Sequence, residues 1–313
     1  MNGYPISNCQ KSVSVINFIS KTQMTRISLL TICLLLSGCS SIFFFPMVEH
    51  VRTPDQVGLN YTDVSLLTKD GVKIHGWFLP TSNKLKGTIY FLHGNAENIS
   101  THLRAVYWLP KSGYQVFLLD YRGFGLSEGT PNLPNVLIDI ETGFNWLLKQ
   151  KTVMHKPVFL MGQSLGASMA IYFAATNTQA KDCLSAVISD AAFTRYSDIT
   201  QHVAKQSWVT WLLQYPAAWS VISGYDPIDY IPSISPTPIL LLHSRDDAVI
   251  PLDHSSQLFD SVLQSKFKII TQGSHGATFE DMENRHHLLS FLKSSSEGRT
   301  NTCAPNLNTL HIK

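Results

Sequence analysis

The 313-residue sequence is short of the groups that several common chemistries require. Its five cysteines, Cys9, Cys33, Cys39, Cys183 and Cys303, include no CxxC pair, which argues against a structural zinc site and a disulfide-dense scaffold. There is no HExxH for zinc hydrolysis and no GK[ST] for a nucleotide phosphate loop, and Gly123-Phe124-Gly125 does not complete a GxGxxG. No cofactor or metal is expected on these grounds. Charge of one sign is equally scarce: 24 Lys and Arg against 22 Asp and Glu leave a balance of +2, too even for a nucleic-acid surface. What the chain does have is apolar material. At 44% hydrophobic and 15% charged it can bury a core and lacks the composition of a disordered protein.

Residues 24 to 39 run from a basic start through about ten apolar residues to Leu36-Ser37-Gly38-Cys39, a secretion signal too short to span a bilayer comfortably. The quartet resembles a bacterial lipobox, which implies cleavage before Cys39 and acylation of its sulfur and new amino group. Cys39 is then the candidate lipidation site and the first mature residue. An uncleaved signal anchor, or ordinary cleavage with Cys39 incidental, are the alternatives. Met24 is a candidate start, because the signal pattern makes sense only from there. Removing residues 1–38 takes three basic residues, Lys11, Lys21 and Arg26, and no acidic one, so the mature balance becomes −1. Three acyl chains exceed the two signals that stable anchoring needs, and the expected location is the cell envelope, facing the periplasm, with the outer membrane allowed by Ser40.

Residues 39–60 read as a lipid-anchored linker. From residue 61 short β-branched runs alternate with longer helical stretches, the pattern of a mostly parallel sheet wrapped by helices. Eight strands are expected, at Tyr61–Thr68, Val72–Leu79, Gly87–Leu92, Tyr114–Asp120, Pro157–Met161, Ala186–Ser189, Pro238–Leu242 and Phe267–Thr271, the first two joined as a hairpin by Lys69-Asp70-Gly71. Helices are expected at about 98–111, 133–150, 165–177, 252–264 and 280–293. The stretch 193–236 breaks the rhythm and reads as an insertion over the sheet, within one domain spanning 61–293. Residues 294–313 are polar and aperiodic, a disordered tail.

Gly162-Gln163-Ser164-Leu165-Gly166 lies where a strand gives way to a helix, so GxSxG here has the flanks of a nucleophile elbow. A serine hydroxyl needs a base to take its proton and an acid to orient the base. His275, in Gly273-Ser274-His275-Gly276 past the last strand, is the candidate base, and Asp247, after the strand Pro238–Leu242, the candidate acid. Asp246 is its nearest rival and Asp190 a weaker one. Two backbone N–H groups must hold the oxyanion: Leu165 beside the nucleophile, and Asn95, or alternatively Ala96, in His93-Gly94-Asn95-Ala96. His93 reads as a brace for that loop.

With these residues in place, the sequence resembles the α/β-hydrolase-fold serine hydrolases, in particular the group of monoacylglycerol lipases and serine aminopeptidase-like hydrolases. The resemblance covers about residues 43–293. It rests further on Phe45-Pro46, Asp70-Gly71, His75-Gly76-Trp77, Asp120-Tyr121-Arg122-Gly123-Phe124-Gly125 and Asp190-Ala191-Ala192-Phe193, and it departs at Ser244 and Glu97. It implies an α/β-hydrolase fold with an eight-stranded, mostly parallel sheet and a small helical cap, and it implies the roles just given to Ser164, His275, Asp247, Asn95 and Leu165. Glu97 is expected to face solvent.

The insertion carries Trp208, Trp211 and Trp219 among aliphatic residues. In the resembled group a cap lies here, which suits an acyl chain; packing onto the sheet, or contact with the membrane, are the other readings. The expected function is a membrane-tethered serine hydrolase that cleaves carboxylic esters or thioesters through an acyl-enzyme on Ser164. Its partners are then a small ester or acyl substrate and, through Cys39, a membrane. An aminopeptidase-like serine peptidase and a non-catalytic binding lipoprotein are the alternatives.

Overall fold

The computed structural model describes residues 40–206, 211 and 214–297. Cys39 and Trp208 lie outside the described residues, as do the signal segment and residues 298–313. Five interior strands read as nearly unbroken apolar runs, and such strands must be covered on both faces. Successive side chains therefore serve opposite cores: Tyr90, Phe117, Leu119 and Leu160 pack on one face of the sheet, and Ile89, Phe91, Val116, Phe159 and Met161 on the other.

In chain order the strands are β1 (Phe45–Pro46), β2 (Thr62–Leu67), β3 (Lys73–Leu79), β4 (Gly87–Leu92), β5 (Ala96–Glu97), β6 (Tyr114–Asp120), β7 (Val158–Gln163), β8 (Leu184–Asp190), β9 (Ile239–Ser244) and β10 (Lys266–Thr271). The helices are α1 (Ile99–Val106), α2 (Asn135–Leu148), α3 (Leu165–Thr176), α4 (Thr178–Cys183), α5 (Tyr196–Lys205), α6 (Gln214–Ser220), α7 (Pro227–Tyr230), α8 (Leu252–Ser261) and α9 (Met282–Ser296). Eight strands form one sheet in the order β10-β9-β8-β7-β4-β6-β3-β2. Its pairings are parallel except where β3 meets β2 and β6. All eight expected strands are present, and the insertion supplies helices α5 to α7. The short helix α4 has no counterpart in the periodicity. Among the described residues no helix is long and apolar enough to cross a membrane.

One expectation is corrected. Residues 40–60 are not a linker but part of the domain. Ser40 is buried, accepts the Leu133 amide at 2.9 Å and donates to the Leu133 carbonyl at 3.2 Å. Phe44 is buried against Phe124. β1 pairs in parallel with β5 in a separate two-stranded sheet. The pattern was hidden because two paired residues are too short to show a period. The tail also begins later than expected, since α9 runs on to Ser296.

Two motif segments act as braces. Arg122 inserts its guanidinium between Asp139, at 2.7 Å, and Asp70, at 2.8 Å. Its hydrogen bond, followed by that from Thr68, holds the Asp70 carboxyl well below the usual carboxylate range. The buried Asp120 carboxylate accepts the Ile99 amide at the start of α1 and pairs with His50 at 3.2 Å.

Candidate active site

The elbow forms where β7 hands over to α3. Ser164 adopts φ 56° and ψ −122°, a conformation that costs roughly 1–3 kcal/mol and persists only where the surroundings impose it. Here they do. A Cβ on Gly166 would overlap the carbonyls of Leu92 and His93, and one on Gly162 would overlap Gly166 and Ala167. Only glycine at both positions lets α3 start directly against the ends of β4 and β7. The Ser164 amide is held by the Asp190 carbonyl at 2.8 Å.

Every candidate site loop leaves a carboxyl end of the sheet, where ligands bind in open α/β sheets. After β4, Gly94 lies against the elbow: a Cβ built on it would stand 3.5 Å from the Ser164 Cβ. Asn95, Ser164 and Leu165 share the wall of one cavity of about 560 Å³. Ala96, the alternative oxyanion donor, sits in β5, and its carbonyl faces His102 Nε2 at 3.2 Å. β1 secures this loop through the Phe45 amide on the Asn95 carbonyl and the Met47 amide on the Glu97 carbonyl. Glu97 is exposed. His93 is fully buried, and burial pushes its pKa down to about 3 against the pull of Asp120, so it is a neutral support for the loop.

After β9, Asp247 accepts the amides of Val249 and Ile250 at 2.8 and 2.9 Å on Oδ1 and meets His275 Nδ1 at 2.7 Å on Oδ2. Burial alone would raise the Asp247 carboxyl, but the bond to His275, its charge and the two amides bring it below the ordinary value. The rival Asp246 is exposed and accepts only the Gly273 amide, at 3.2 Å. The weaker rival Asp190 is fully buried, with its carboxyl raised by burial, and accepts Gln163 and Thr278 rather than His275.

No direct hydrogen bond joins Ser164 Oγ to His275 among the described residues; such bonds commonly tighten only with substrate in place. The loop of the candidate base reaches the elbow through Gln163. Gln163 Nε2 donates to Asp190 Oδ2 at 3.0 Å and to the Gly276 carbonyl at 3.3 Å. Its Oε1 is left to accept from His102 Nδ1, 3.0 Å away on α1. Thr278 Oγ1 completes the chain by donating to Asp190 Oδ1 at 2.7 Å. Gln163, His102 and Thr278 were not singled out in the sequence. The available signal was a lone amide at the end of the otherwise apolar run Val158-Phe159-Leu160-Met161.

The cavity is mostly apolar. Phe43, Phe45, Phe193, Ile199, Val203 and Ala217 contribute to its wall, from the amino-terminal segment, the loop after β8, α5 and α6. Trp211, Tyr215 and Trp219 do not pack down onto the sheet; they are 54%, 54% and 74% exposed. As for a metal, His50, His75 and Asp120 are the one group of ligating side chains close enough to share an ion among the described residues. Asp120 already serves His50 and the Ile99 amide, and His75 Nε2 is paired with Asp63 at 2.9 Å, so the trio is already engaged as a structural brace.

The family described as Serine aminopeptidase, S33 matches residues 83–232, which include the loop after β4 and the elbow. The protein YfhR of Escherichia coli O157:H7 is 32% identical over 261 residues, covering 81% of this chain and 87% of its own. The chain belongs to the α/β-hydrolase family. Among solved structures, the Pyrococcus furiosus esterase Pf2001 superposes with a TM-score of 0.65 at 23% identity, covering 81% of this chain and 97% of that one. A Pyrococcus horikoshii acylaminoacyl peptidase superposes at 0.56 and 15% identity, covering 76% of this chain and 42% of that one. The shared fold is a hydrolase fold with both ester-cleaving and peptide-cleaving representatives.

Proposed function

We propose that this hydrolase cleaves carboxylic esters or thioesters through an acyl-enzyme on Ser164. The observation that carries the reading is the placement of Ser164 on the wall of a 560 Å³ apolar cavity whose lining includes no charged side chain. A cavity of that size and polarity suits an acyl chain, and it offers no carboxylate to a peptide's α-amino group. In this reading His275, oriented by Asp247, takes the Ser164 proton as Oγ attacks the carbonyl carbon. The amides of Asn95 and Leu165 hold the oxyanion, and His275 then returns the proton to the leaving alcohol. Water repeats the cycle to release the acid.

We further infer that Cys39 is lipidated and tethers the enzyme to the envelope membrane. Ser40, the next residue, is already packed into the domain, so no spacer would separate the tether from the enzyme. Ile42, Phe45, Val203 and Val249 line the cavity and are each about half exposed, giving it an apolar rim that suits a substrate drawn from a lipid surface.

The test is hydrolysis of p-nitrophenyl esters from acetate to palmitate by the full-length protein and by Ser164→Ala, with aminoacyl nitroanilides alongside. Ester turnover that falls on the order of 10³-fold or more in the variant supports the reading. Turnover that survives the substitution, or cleavage of the nitroanilides alone, overturns it. Mass spectrometry of the membrane fraction tests the tether, which an unmodified Cys39 would exclude.

A further inference from the structure

A second cavity, of about 370 Å³, is lined by Arg52, Arg104 and Arg285 together with Tyr107 and Glu280. Three arginines and a single glutamate line it. None of the three takes part in an ion pair among the described residues, whereas Arg122 and Arg195 are both salt-bridged to aspartates. Convergent, unneutralised arginines repel one another, and an anion with several oxygens relieves that repulsion by accepting from their planar forks.

The site is built rather than incidental. Arg285 is fixed by donating from Nε to the Phe279 carbonyl at 2.6 Å and by lying over the rings of Tyr107 and Trp108, 5.4 and 5.3 Å from their centroids. Arg104 stands on α1, the helix that begins just after the oxyanion loop. Its guanidinium lies 3.3 Å from where a Cβ on Gly276 would be, directly beside the candidate base's loop. The cavity exceeds the volume of a bare ion, and Val57, Leu103 and Tyr107 give the remaining wall an apolar character suited to an organic substituent.

We propose that this cavity binds the phosphate group of a phosphate ester, separately from the acyl cavity at Ser164. The phosphate lies among Arg52, Arg104 and Arg285, and the group it is esterified to lies along Tyr107. The chemistry is shared by soluble phosphates and by anionic phospholipid headgroups.

Calorimetric titration of the detergent-solubilised full-length protein, at about 0.15 M ionic strength, tests the proposal without depending on turnover. One arm uses inorganic phosphate and glycerol 3-phosphate. The other compares mixed micelles containing phosphatidylglycerol with micelles containing only phosphatidylcholine. Saturable binding in the first arm identifies a soluble phosphate as sufficient; preference for phosphatidylglycerol without binding in the first arm identifies the lipid headgroup. In either case Arg52→Gln and Arg104→Gln should each weaken binding about tenfold. Both side chains are exposed and unpaired by ions, so their variants should keep the parent melting temperature, and Arg104→Lys should fall between. Binding in neither arm, or affinity unchanged in both glutamine variants, overturns the proposal.

Discussion

The backbone carbonyl of Asp190 holds the Ser164 amide at 2.8 Å while its own carboxylate receives Thr278 and Gln163. One residue at the end of β8 thus fixes the turn at Ser164 and, through Thr278 and through Gln163 on Gly276, the loop of the candidate base. Asp190→Ala leaves the buried Thr278 hydroxyl without its acceptor, at about 1–3 kcal/mol, leaves Gln163 Nε2 with only its longer bond to the Gly276 carbonyl, and opens a cavity at the end of β8. Urea denaturation should show a loss of about 2–5 kcal/mol. Because Asp190 acts through position, ester hydrolysis should lose kcat with little change in KM. A variant with parent stability would show that the network is slack.

Asp247 and Asp246 are adjacent in sequence yet differ in every physical respect. Asp247 is 1% exposed at its side chain and touches His275, while Asp246 faces solvent. Asp247→Asn keeps the shape but offers no carboxylate to Nδ1–H, so the imidazole loses its orientation and tautomer. Ester hydrolysis should fall on the order of 10⁴-fold, and Asp246→Asn should fall by less than about threefold. Equal losses in both would return the assignment to the loop as a whole.

The eight strands were legible because a parallel sheet buried on both faces leaves unbroken apolar runs, and the elbow because GxSxG sits where such a run ends. Ser164 and Leu165, and Asn95 with Ala96 as its alternative, were read from the GxSxG motif, the loop after β4 and the family resemblance, and Ser164, Leu165 and Asn95 share one cavity wall. The Gln163 to Asp190 network was not legible. Hydrogen bonds that join the end of β7 to that of β8, and both to a loop 88 to 113 residues further on, leave no periodic mark. The role of residues 40–60 was hidden for a related reason. Ser40, Phe44 and Phe45 are held by Leu133, Phe124 and Asn95, partners far along the chain that no local pattern announces.

Arg122 neutralises Asp139, which is fully buried, and Asp70, which is about a third exposed. Arg122→Gln strands the Asp139 charge and should cost about 3–5 kcal/mol at neutral pH. The sign of the pH effect follows from Asp139, whose carboxyl is pushed up by burial. The lowered Asp70 pKa contributes stability that is fully present above its unfolded value near 4 and is lost only as pH falls below that, so it stays constant from pH 7 to pH 4. In the variant, Asp139 escapes its buried charge by taking up a proton as pH falls. The gap between parent and variant should therefore narrow from pH 7 toward pH 4. Urea midpoints across that range check it, and a gap independent of pH would mean that Arg122 matters for packing rather than charge.

Ala217, on α6, lines the cavity at Ser164, and its neighbours Tyr215 and Trp219 are exposed, so a larger side chain can be carried there without disturbing the core. If the cavity receives the acyl chain, Ala217→Trp removes space from it and leaves Ser164, Asp247 and His275 untouched. Long chains should then suffer and short ones should not. Burial of each methylene is worth about 0.8 kcal/mol, so losing room for two or three of them should lower kcat/KM on palmitate by about 10- to 100-fold while acetate changes by less than about twofold. The same plate of p-nitrophenyl esters reads both. A uniform loss across chain lengths would place the acyl group elsewhere and make the aromatic cap a surface feature, and an unchanged profile would mean that chains of this length never reach α6.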